Sequence, residues 1–141
     1  MFSELEEQRI VRAIANAERD NRGEVQVHVE RRCGGDPLAR ARALYRLAGL
    51  EGTTDDTAVL LYVASLGRVS AVYCGAGVHP RADASFWQGV SDQVAAGYRT
   101  GQPADGICAA LDQIGALLRT LAPGSDTAGN ERSDTLYTEK S

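Results

Sequence analysis

The chain has 141 residues, of which 43% are hydrophobic and 24% charged, with a formal net charge of −4. That length supports one hydrophobic core, and the composition is that of an ordinary globular domain. The acidic balance excludes a general nucleic-acid binder, and no apolar run approaches the roughly 20 residues of a membrane helix.

Ser3 followed by Glu6 is a capping box, which predicts a helix start with its first amides satisfied. Ile10, Ile14 and Ala17 continue it as an apolar stripe, and Asn21 and Gly23 are expected to end it in the left-handed conformation. Glu24 to Glu30 alternates, with Val25, Val27 and Val29 on one face. Gln26, His28 and Glu30 fall on the other, so that face is expected to be only partly covered.

Asp36-Pro37 supplies a capping carboxylate and then a residue that needs no amide, which predicts a second helix. Leu38, Ala41, Tyr45 and Ala48 line one side of it, Gly49 closes it, and Arg42 and Arg46 are expected on a solvated face. Ala58 to Ala64 is apolar throughout, as suits a strand covered on both faces. Ser65-Leu66-Gly67 is short enough only for a hairpin, so the strand from Arg68 runs antiparallel. The order is a βαβ unit followed by a hairpin.

Beyond His79-Pro80, Phe86, Val90, Val94 and Tyr98 recur at helical spacing, Gly101 breaks the helix, and Pro103 begins another. Ile107, Leu111, Ile114 and Leu118 carry that last stripe. From Pro123 the chain is polar apart from Leu136 and Tyr137, so this tail is expected to be mobile unless those two dock. The three cysteines, Cys33, Cys74 and Cys108, lack Cys-x-x-Cys spacing. With an acidic opening that is no export leader, they read as reduced thiols of a cytoplasmic protein.

Gly23 to Glu30, Asp36-Pro37-Leu38, Ala58 to Ala64, Arg68 and Gly77 together resemble the TPM domain. Phe86-Trp87, Tyr98-Arg99-Thr100-Gly101 and Gly106-Ile107-Cys108-Ala109 look like its short stand-alone bacterial members. The resemblance spans residues 3 to 123 and implies a three-layer α/β/α sandwich, a small mixed central sheet flanked by about four helices. With the change of composition at Pro123, the chain reads as a TPM-type domain over residues 1–122 and a polar, flexible tail over 123–141. The resemblance also implies a divalent cation, Ca2+ or Mg2+, held by acidic loop residues, and a plant relative is assigned acid phosphatase activity. Here Gly67 stands where many relatives carry an acid before the arginine. Cys74-Gly75-Ala76-Gly77 stands where relatives often carry Gly-Asp-x-Gly. Asp55, Asp56 and Asp83 are the acids left to hold a metal, and losing the other acids weakens both the attraction and the ligand count that calcium needs.

The residues themselves offer little catalytic chemistry. His28 in a strand reads as half-buried, and no serine or cysteine sits at a recognisable nucleophile turn. Gly75-Ala76-Gly77 reads as a turn needing positive φ rather than a dinucleotide fingerprint. Ligands of open α/β sheets favour the carboxyl ends of parallel strands, where Arg31, Arg32 and Arg68 form an expected anion-attracting rim beside a helix start. The expectation is therefore an accessory, non-catalytic binding domain with a degenerate cation site and a protein or small-anion partner. The alternative is a metal-dependent acid phosphatase acting on phosphomonoesters.

Overall fold

A computed structural model describes residues 2–52, 56–79, 82–124 and 135–139. Helix α1 spans Glu4–Ala17, and its capping box forms in both directions between Ser3 and Glu6. Strand β1 (Glu24–Glu30) leads through α2 (Pro37–Leu47) to β2 (Ala58–Ala64), and β3 (Val69–Cys74) follows by a hairpin. Helices α3 (Ala84–Arg99) and α4 (Pro103–Leu121) come next, and β4 (Thr135–Thr138) is last.

The sheet order is β3-β2-β1-β4. β1 is parallel to both β2 and β4, while β2 and β3 are antiparallel. Val25, Val27, Val29, Val59, Leu61 and Val63 meet side chains of α1, α3 and α4 in one aliphatic core. Ala58, Leu60, Tyr62 and Ala64 meet α2 in a second, smaller one. All seven residues of β2 are therefore buried, the consequence of helices on both faces. This is the three-layer arrangement, with a mixed sheet. Among the described residues no helix is long and apolar enough to cross a membrane.

Three local expectations change. Helix α1 is ended by Asp20 at φ 61°, not by Asn21 or Gly23. Asn21 is fully buried and acts through its side chain, whose Nδ2 donates to the Ala17 carbonyl at 2.7 Å and whose Oδ1 accepts from the Gly23 amide at 2.8 Å. Leu38 lies half outside the α2 core, with Leu44 buried in its place. Positive φ is found at Gly49, Gly101 and Gly124 but not at Gly75 or Gly77. Gly75 is required instead by a close approach: a Cβ there would sit 2.2 Å from the Asp56 carbonyl oxygen.

Of the segment from Pro123 onward, Leu136 and Tyr137 dock as part of β4. Leu136 packs against the aliphatic core, and Tyr137 pairs opposite His28. Nothing in the local pattern announces this strand; its partner, the edge of β1, specifies it.

Candidate functional site

The parallel strands β1, β2 and β4 end together, and their carboxyl ends carry a polar cluster on the face that α2 covers. The register explains it. His28 lies opposite Tyr62 on β2 and opposite Tyr137 on β4. Residues level with one another in neighbouring strands point to the same face, so three rings stand in a row. The His28 and Tyr137 centroids are 4.3 Å apart at 14°, and those of His28 and Tyr62 are 6.2 Å apart at 30°.

Two residues further on, Glu30 points to the same face. Arg40, in the second turn of α2, reaches back to it: Nε donates to Oε1 at 3.1 Å, and a terminal guanidinium nitrogen also donates to Oε1. The Tyr62 hydroxyl donates to Oε2 at 2.7 Å. Burial alone would raise the Glu30 carboxyl, but the Arg40 and Tyr62 hydrogen bonds outweigh it and hold it below its ordinary value. Burial and the bond to Glu30 push the Tyr62 phenol up. His28 Nε2 lies 3.3 Å from Glu30 Oε1 but is buried without an aligned hydrogen-bond partner. Burial, with lesser help from Arg40, lowers its pKa and favours the neutral ring, despite Glu30 beside it.

An open depression of about 560 Å³ adjoins this network, lined by Glu30, Arg32, Cys33, Asp36, Arg40 and Glu139 among others. Asp36 caps α2 by accepting from the Ala39 amide at 2.9 Å. The Cys33 thiol donates to the Gly35 carbonyl at 3.2 Å. The three arginines of the expected rim are all exposed and belong to this end of the sheet. The Leu66 amide donates to the Arg31 carbonyl at 2.8 Å, which ties the hairpin to the end of β1. Arg68 takes the left-handed turn position at φ 53°. Arg31 and Arg32 line a second shallow hollow with Glu139, whose Oε2 accepts from the Arg31 amide at 2.7 Å. The sequence reading missed Glu30, Arg40, Tyr62 and Glu139. Glu30 carried a signal, the polar face of β1; Arg40, Tyr62 and Glu139 reach the site only through tertiary placement.

Of the acids considered for a metal, Asp56 lies at the opposite, amino end of β2. Asp55 is outside the described residues. Asp56 adopts φ 58°, and its carbonyl accepts from the Gly77 amide at 3.0 Å. Asp83 caps α3, with one oxygen accepting from the Phe86 amide at 2.9 Å and the Ser85 hydroxyl at 2.7 Å. The Ser85 bond and then the Phe86 amide hold its carboxyl below the ordinary range. Among the described residues no three His, Cys, Asp or Glu side chains come together as a metal site. Of these acids the structure describes Asp56 and Asp83, and Asp83 is engaged as a helix cap. Cys74 is buried and its thiol is pushed up to about 12, which keeps it protonated at neutral pH. His79 lines a separate groove of about 470 Å³ with Val72, Cys74 and Trp87.

Comparison with solved structures finds the same fold elsewhere. The BA42 protein of the psychrophilic bacterium Bizionia argentinensis aligns with a TM-score of 0.87 at 24% identity, over 99% of this chain and 96% of that one. The N-terminal domain of the cg2496 protein of Corynebacterium glutamicum aligns with a TM-score of 0.65 at 12% identity, over 100% and 82% of the two chains. The N-terminal domain of a P. gingivalis protein gives 0.64 at 18% identity, over 85% and 78%. No curated protein sequence matches the chain. The family model described as the TPM domain matches residues 1–117, and the chain belongs to the TPM domain family.

Proposed function

We propose that this chain is an accessory, non-catalytic binding domain whose site is the carboxyl end of β1, β2 and β4, and that it takes an anionic group. The observation that carries the reading is the carboxylate of Glu139, received by the Arg31 amide at 2.7 Å within a hollow that Arg31 and Arg32 line. A backbone donor beside two exposed guanidinium groups suits a carboxylate or phosphate. Arg68, on the hairpin tied to the same strand end, extends the positive rim. Glu30 does not compete for these cations, because Arg40 and Tyr62 already satisfy it. The cation site of relatives is degenerate in this reading, with glycine at positions 67 and 75. Titration with inorganic phosphate, followed by amide NMR, tests it in the Glu139→Gln variant, where the competing carboxylate is gone. Saturable shifts at Arg31, Arg32 and Arg68 at millimolar phosphate are expected; unchanged spectra there remove the reading.

A second reading is a divalent-metal-dependent acid phosphatase acting on phosphomonoesters, which the name of the family model, a phosphatase, suggests. One observation favours it: Asp56 is held in a left-handed conformation against Gly75 and Gly77, and such strain gathers at functional sites. Asp55 and Asp83 would complete the acids. Hydrolysis of p-nitrophenyl phosphate that depends on Mg2+ or Ca2+ and is abolished by Asp55→Ala/Asp56→Ala would establish it. A melting temperature unchanged by millimolar Ca2+ counts against it.

A further inference from the structure

The two edges of the sheet are built differently. β4 closes one of them, and among the described residues no strand pairs with the far side of β3, which forms the other. The Gly75 amide donates to the Ala58 carbonyl at 3.0 Å. In an antiparallel ladder alternate residues turn their main-chain groups toward the partner. In the register that sets Cys74 opposite Val59, Val69, Ala71 and Tyr73 therefore bond to β2. Ser70, Val72 and Cys74 hold their amides and carbonyls outward.

Strand edges are normally blunted by charge, proline, a bulge or shortness. β3 has none of these. Its six residues, Val-Ser-Ala-Val-Tyr-Cys, carry no charge and pair with β2 without interruption. Apolar surface adjoins it. Val69 is 38% exposed, and Leu38, at 51%, lines a groove of about 470 Å³ together with Val72, Tyr73, Cys74 and Trp87. That groove runs along the open edge, with α2 supplying Leu38 and α3 supplying Trp87.

We infer that β3 is the contact between two copies of this chain, paired edge to edge and antiparallel about a two-fold axis at Val72. The occupant is a second copy because the strand is complementary to itself. With Val72 opposite its own counterpart, Ala71 meets Tyr73 and Ser70 meets Cys74 of the second copy. Every outward amide then finds an outward carbonyl; a centre at Ala71 would leave those of Cys74 unpaired. Opposite residues share a face, so small and apolar side chains meet and no like charges do. The flanking charges agree. Arg68 immediately precedes the strand, and Asp56 lies against Gly75 just past its end. Antiparallel pairing brings the Arg68 end of each copy to the Asp56 end of the other, so opposite charges approach at both ends. Such a contact is closed: it consumes the free edge of both copies and does not propagate. It is independent of the anion reading proposed above.

Sedimentation of the full chain over a range of concentrations tests the inference, with amide hydrogen exchange measured at the two extremes. A single strand pair with its flanks is a small interface, so a dissociation constant on the order of 10–100 µM is expected. The mass should rise to that of two chains, and the Ser70, Val72 and Cys74 amides should gain about ten-fold protection as it does. Ser70→Pro removes one outward amide and takes no hydrogen bond from the β2 ladder; Ser70→Lys places a charge on the edge. Each, shown to be folded by circular dichroism, should remain a single chain at the highest concentration. A monomeric unaltered chain overturns the inference, even if its edge then takes a foreign segment. So does a dimer that the folded variants keep, or one whose newly protected amides lie outside β3; the exchange measurement decides even if neither variant folds.

Discussion

Leu61 and Tyr62 are neighbours on β2, both fully buried, and they face opposite sides of the same sheet. Leu61 enters a core of aliphatic side chains under three helices. Tyr62 enters the thinner layer under α2, where its hydroxyl meets Glu30 and its ring lies beside His28. One face has enough helix above it to exclude water by volume alone. The other has the 11-residue helix α2 and fills the remaining space with polar side chains, among which Glu30, Arg40 and Tyr62 satisfy one another. Buried polar groups of that kind are stable only as a closed set, so the thin face is where this fold can place chemistry without weakening its main core.

The sharpest way to break the comparison is to empty each face in turn. Leu61→Ala should cost about 3 kcal/mol, because the surrounding helices cannot collapse onto the void. A thermal melt should show a fall of roughly 10 °C for a chain of this size. A loss as small as that of a surface substitution would mean the aliphatic core is not close-packed.

Glu30→Gln should cost about 2 kcal/mol, since it replaces the acceptor of a charged network with a neutral one. Its clearer signature is in pH dependence. The His28 pKa is lowered from 6.5 by burial, so its contribution is complete above that value and is lost as pH falls below it. Glu30 is held below 4.5 in the folded chain, so its contribution is present above that value and is lost on further acidification. Both effects weaken the fold in acid. Denaturant midpoints measured from pH 7.5 down to pH 3.5 should fall in two stages, and Glu30→Gln should lack the lower one. A flat profile would show that the thin face carries no coupled charge.

Tyr62→Phe is the smallest expected change, about 1 kcal/mol, because one hydroxyl donor is removed and the ring is kept. It should also raise the carboxyl of Glu30, readable by NMR titration of the side-chain carbon. An unchanged titration would assign the carboxylate's stabilisation to Arg40 alone.

Much of this was legible in the chain. The capping box at Ser3, the Asp36-Pro37 start, the unbroken apolar run of β2 and the short hairpin each fix a local conformation, and together they fix the layers. The polar face of β1 was legible as Gln26, His28 and Glu30. Its partners were not, because Tyr62 reaches Glu30 only through strand register, and Arg40 only through the orientation of α2. Strand β4 was hidden for the same reason. Two apolar residues in a polar stretch carry no period of their own, and their conformation is decided by an edge formed more than 100 residues earlier. Gly75 misled in the opposite direction, since a glycine required for closeness and one required for positive φ are written alike.

That long separation has a consequence for biosynthesis. The edge strand that β4 covers emerges from the ribosome several seconds, on the order of 5–20 s, before the residues that cover it. During that interval its hydrogen-bonding groups face the cell uncovered. The imidazole, carboxamide and carboxylate of His28, Gln26 and Glu30 along one side of it are the kind of polar gatekeepers that discourage stray pairing, so the polar side of β1 also guards the nascent chain.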